Sequence, residues 1–129
     1  MKLLNLVCDQ KRLLTQSMLS ETDREALEDI RDNIARAFQF VDGLDLEGFL
    51  TDMKSFYAAT RCLEIISEAS RCLSPTFKDR FPEIPWKAVA GSGNIYRHNY
   101  EDVMERRVWK TIHDALPPLQ VVAETELRH

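Results

Sequence analysis

The sequence predicts an all-α fold, an antiparallel bundle of four to five helices. Two observations predict it. Apolar residues recur at steps of three and four through successive segments that capping residues, glycines or prolines bound, and no segment carries the two-residue alternation of a convincing strand. The chain has 129 residues and no internal repeat, which is room for one core and too little for two ordinary domains.

Ser20 followed by Asp23 resembles a capping arrangement, and Leu27, Ile30, Ile34, Phe38 and Val41 then trace one face of a first helix. Gly43 is its natural stop. Asp45 can cap a short helical piece with Leu46, Phe49 and Leu50, and Phe56 to Leu73 form a longer run. That run is apolar on two neighbouring sides, with Ala59, Leu63, Ile66 and Leu73 on one and Cys62, Ile65, Ala69 and Cys72 on the other, which makes it the central helix. Arg61, Glu64 and Glu68 share its remaining face, either as a solvated stripe or as a functional one. Ser74-Pro75 ends the run.

A fresh helix can start near Pro85, where Trp86, Val89, Ala90, Gly93, Tyr96 and Arg97 follow at helical spacing, which puts residues 93–100 on this helix or at its end. The last segment, from about Glu105, carries Val108, Trp109, Ile112, Leu116 and Leu119, and Pro117-Pro118 should kink or divide it.

Hydrophobic residues make up 44% and charged residues 29%, a globular composition without low-complexity sequence. The net charge of -4 argues against a general basic coat for nucleic acid and leaves room for a local basic groove. Cys8, Cys62 and Cys72 match no metal-ligand spacing. Cys62 and Cys72 would lie about 15 Å apart along one helix, so reduced thiols in a cytoplasmic protein are expected. Asp9, Gln10, Lys11 and Arg12 interrupt the opening leucines too early for a signal peptide, and no uncharged run reaches the ~20 residues of a bilayer span.

One stretch concentrates chemistry: Gly93 to Tyr100, GNIYRHNY. His98 can accept and donate a proton near neutral pH. On a helix, Asn94 and His98 are four apart and Arg97 is three from Asn94, so all three can project towards one region. A guanidinium can bind two phosphate oxygens, an imidazole can shuttle a proton and an amide can fix orientation, which suits a phosphodiester and needs no metal or other cofactor. Tyr100 could stack on a base or present its hydroxyl for modification. The preceding GSGN follows no strand and has no partner lysine, so its glycines are better read as letting two helices approach closely than as a phosphate loop.

From about Met18 to Leu119 the chain resembles the HepT-like family of HEPN proteins, small helical toxins of prokaryotes. The resemblance rests on GLDLEGFLTD at 43–52, RCLEIISEAS at 61–70, FPEIPWKAVAG at 81–91, GNIYRHNY at 93–100 and VWKTIHDALPPL at 108–119, in that order. It implies a HEPN-like domain over residues 18–129, preceded by an extension or misassigned start at residues 1–17. It further implies a homodimer acting as a metal-independent ribonuclease on RNA, and a nucleotidyltransferase antitoxin of the MntA type that attaches AMP to the motif tyrosine. By that pattern His98 is catalytic and Tyr100 is modified, with Arg97 and Asn94 on the phosphate and Arg61 and Glu68 in support. Two positions depart from the pattern: Gly93 stands where an arginine upstream of the histidine is expected, and Ser67 where glycine is common. The alternative is a binding or dimerisation module, without catalysis, that docks the nucleotidyltransferase.

Overall fold

The computed structural model describes residues 19–94 and 103–128. Ser20 starts the first helix, α1 (Glu21–Val41), by accepting the Asp23 N–H on its hydroxyl at 3.0 Å. Asp42 follows, and Gly43 turns the chain with φ +78°, a left-handed conformation that favours glycine. Asp45 caps α2 (Leu46–Thr51) through the Gly48 N–H at 2.8 Å. Asp52 then caps α3 (Met53–Cys72), its carboxylate accepting from the Ser55 N–H at 3.1 Å and hydroxyl at 2.9 Å. Those bonds favour the ionised form and hold the carboxyl below its ordinary value of 3.8.

The most extensive packing is α1 against α3. Leu27, Ile30, Ile34, Ala37 and Val41 on α1 and Phe56, Ala59, Leu63 and Ile66 on α3 are buried. Both apolar sides of α3 are used: Cys62, Ala69 and Cys72 are buried as well. A helix covered over so wide an arc is the centre of the bundle, and α1, α2, α5 and α6 all meet α1's partner α3. Among the described residues every regular element is helical, so the all-α expectation holds.

After Leu73 the chain forms a short helix without a periodicity of its own, α4 (Pro75–Asp79), with proline in its first turn and Ser74 as cap. Next come α5 (Trp86–Gly91) and, beyond the undescribed residues 95–102, α6 (Val103–Lys110). Phe49 of α2 joins α3 to α6, with its ring 6.3 Å from Phe56 and 5.3 Å from Trp109. A π-helical turn (Thr111–Ala115) links α6 to α7 (Leu116–Leu127), where the expected kink or division falls. The Leu116 N–H reaches back five residues to the Thr111 carbonyl, and the chain widens by one residue immediately before two prolines that cannot donate. Pro117 and Pro118 then lie in the first turn of α7, where a missing N–H costs little.

The capping expectation at Ser20 and Asp23 holds, and the Asp23 side chain adds a second tie: its buried carboxylate accepts from the Ser74 N–H and hydroxyl, both at 2.7 Å, and joins the start of α1 to the start of α4. Local spacing shows the cap but not a partner 51 residues away. Cys62 is a free, buried thiol whose pKa burial pushes up, but Cys72 is disulfide-bonded rather than reduced. The distance along α3 excludes only a bridge between these two.

The expectations at residues 1–17 lie outside the described residues. Asp23→Ala, which strands the half-buried Ser74 N–H, is expected to cost about 1–3 kcal/mol in urea unfolding. Asp23→Asn, which keeps one acceptor, is expected to cost less.

Candidate functional site

The chain reaches the GNIYRHNY stretch from α5, a six-residue helix too short to be stable alone. Contacts at both ends hold it. At its start the Trp86 indole N–H donates to the Phe81 carbonyl at 3.0 Å and the Lys78 carbonyl at 3.2 Å, while its ring packs 6.2 Å from Phe77. At its end the Ala90 carbonyl accepts from two groups of α3, the Ser67 hydroxyl in a short bond and the Arg71 guanidinium at 2.8 Å. A carbonyl has two lone pairs, and here both are filled, one by a charged donor.

This docking requires close approach. A Cβ on Gly93 would lie 2.8 Å from the Ser67 Cβ, 3.1 Å from the Ser67 hydroxyl oxygen and 3.1 Å from the Glu64 Cα. No side chain fits at 93 unless α3 or this turn shifts. The expectation that a glycine of GSGN allows two segments to meet therefore holds at Gly93, and Gly91, with nothing within 4 Å, has no such role. Ser67 is itself buried, so the two departures noted in the sequence touch each other across this contact.

Of the two expected places for this stretch, on the helix or at its end, its described start has the second. The helix stops at Gly91, Ser92 caps it through the Val89 carbonyl, and Asn94 lies past the end in a turn closed by its own N–H on the Gly91 carbonyl at 3.1 Å. Its side chain is exposed. Helical spacing from Asn94 to His98 therefore does not continue α5. Arg97, His98 and Tyr100 lie outside the described residues.

Of the supporting residues, Arg61 is exposed and 4.0 Å from Glu64, which is a weak surface pair. Glu68 is half-buried next to Ser67. Arg71, which the sequence reading passed over, is the α3 side chain that grips α5. Its signal was only position, one helical turn beyond Ser67.

A second feature escaped the sequence reading. Between α5 and the α6–α7 segment lies a cavity of about 150 Å³, lined by Ala88, Val89 and Ser92 on one side and Arg107, Thr111 and Leu116 on the other. Arg107 is the charged residue of that lining, and the two helices on either side, α5 and α6, carry Lys87, Arg106, Arg107 and Lys110 against Glu105, a local positive surplus on a chain of net charge -4. Among the described residues, no three His, Cys, Asp or Glu side chains converge as a metal-ligand group.

Residues 30–126 match the sequence model of the family described as Ribonuclease HepT-like. The chain belongs to the HepT-like ribonuclease family. Among curated HepT-like relatives, the probable ribonuclease HepT of Thermococcus cleftensis is 36% identical over 102 residues, covering 79% of this chain and 93% of that protein. A protein of Methanocaldococcus jannaschii whose name marks it as a candidate RNase is 33% identical over 107 residues, covering 82% and 98%. One of Caldanaerobacter subterraneus with a similar name is 34% identical over 100 residues, covering 78% and 89%. No solved structure matches the chain. Among the described residues no helix is long and apolar enough to cross a membrane.

Gly93→Ala is expected to cost about 1–3 kcal/mol by overpacking. It should cost less in a Ser67→Gly background, where the closest opposing atom is gone. Equal costs in the two backgrounds, measured in a double-mutant cycle by urea unfolding, would show that Ser67 does not limit this position.

Proposed function

We propose that this HepT-like chain is the toxin of a two-gene toxin–antitoxin pair, a metal-independent endoribonuclease that acts as a homodimer. Membership of a ribonuclease family across residues 30–126 is the observation that carries the reading. The anchoring of α5 onto α3 supports it, because the residues that lead into the histidine motif start from a fixed point.

In the proposed reaction the His98 imidazole takes the proton of a ribose 2′-hydroxyl, and the 2′-oxygen attacks phosphorus. The bond to the 5′-oxygen breaks, and that oxygen leaves with a proton from an imidazolium. Two copies of His98 in a dimer let one serve as base and the other as acid. Arg97 neutralises the phosphate and Asn94 orients it. Arg61 and Glu68 support the cleft from α3. Control comes from a nucleotidyltransferase of the MntA type: the Tyr100 oxygen attacks the α-phosphorus of ATP, pyrophosphate leaves, and the new adenylate puts bulk and negative charge where an RNA phosphate would sit.

Purified protein should cleave RNA in the presence of EDTA, and His98→Ala should lower the rate by at least about 100-fold. Undiminished cleavage by that variant would remove His98 from the mechanism. Mass spectrometry after co-expression with the neighbouring gene should find adenylate on Tyr100.

The crowding at Gly93 favours a second reading, a binding module without catalysis, since a guanidinium cannot extend from that position as the chain is packed. Induced expression without the partner separates the two: growth arrest supports the toxin, and normal growth supports the module.

A further inference from the structure

We infer that the cavity between α5 and the α6–α7 segment is a nucleotide subsite, which takes one base of single-stranded RNA on its apolar floor and the adjoining phosphate on Arg107. The inference rests on the ribonuclease reading and names how the strand is held. Three observations carry it.

The first is size and lining. At about 150 Å³ the cavity matches the volume at which an apolar protein cavity admits a single benzene ring, and Ala88, Val89 and Leu116 give it an apolar floor. Base edges meet polar atoms at the rim. The Ser92 hydroxyl donates to the Val89 carbonyl at 2.7 Å and the Thr111 hydroxyl to the Arg107 carbonyl at 2.9 Å, so both oxygens keep lone pairs that can accept from a base N–H.

The second observation is charge. Among the described residues Arg107 has no ion-pair partner, Arg106 and Lys110 lie on its own helix, and Lys87 lies on α5 across the cavity's other wall. An unpaired guanidinium at the mouth of an apolar cavity suits an anion attached to a flat ring, which is the chemistry of a nucleotide. Glu105 and Asp114 are the opposing charges on the same segments, and they are outnumbered.

Position is the third. Ser92 lines the cavity, and the two residues after it are the docked Gly93 and Asn94 that lead into the histidine motif. A strand with one base in the cavity therefore starts two residues along the chain from Asn94, the described residue assigned to orient the phosphate.

Fluorescence anisotropy with a labelled single-stranded oligodeoxynucleotide tests this apart from turnover, because a strand without 2′-hydroxyls cannot be cleaved by the proposed reaction. Arg107→Gln should weaken binding about tenfold and reduce the slope of log affinity against log salt by about 0.7, the loss of one phosphate contact. Ala88→Phe, which adds a ring at an exposed position of the lining and obstructs the cavity, should weaken binding about tenfold and leave the slope unchanged.

Wild-type affinity in both variants would overturn the subsite, and RNA cleavage by the wild type would then leave the ribonuclease reading standing. A wild type that neither binds the strand nor cleaves RNA would overturn both. Displacement of the strand by AMP at the strand's own affinity would overturn the assignment to RNA in favour of a free nucleotide.

Discussion

The Ala90 carbonyl is the point on which the functional half of the molecule depends. It sits at the end of a six-residue helix, where carbonyls lose their intrahelical partners, and α3 supplies two donors to it. A serine and an arginine on one turn of α3 can reach it only because Gly93 has no side chain to keep the two segments apart. Trp86 fixes the other end of the same helix on carbonyls of the α4 region. With both ends held, the exit direction of the chain at Asn94 is set by the core of the bundle.

The parts of the fold that local chemistry dictates were legible in the sequence. Ser20, Gly43 and Asp45 mark boundaries that the structure keeps, and the two apolar sides of the Phe56–Leu73 run correctly make α3 central. The parts set by tertiary contact were not. The α4 helix is too short to show a period, and its proline reads as a stop when it is also a start. Helical spacing runs on past Gly91 to Gly93 in the sequence, while the docked turn ends the helix. Arg71 and Arg107 look like ordinary surface charges in sequence, and only the packing of another segment against each gives it a distinct place. The mounting of the segment that leads to the motif was thus not legible in the sequence.

The charge distribution reconciles a polyanionic substrate with an acidic chain. Most of α1 repels phosphate: Asp29 has its carboxyl pKa raised first by its own burial and then by Asp32, Glu25 and Glu28 around it. The α5 and α6 segments carry the opposite sign. A strand steered by such a field would meet the molecule on the side of α5 and α6, without a general affinity for nucleic acid elsewhere.

The bond from Asp23 to Ser74 has a meaning beyond its own strength. It closes a span of 51 residues that includes α2 and α3, so it joins parts of the chain that become neighbours only when those helices have come together. The buried carboxylate therefore acts as a clasp between the two ends of the packed helix pair: loosening either end of the span loosens the other.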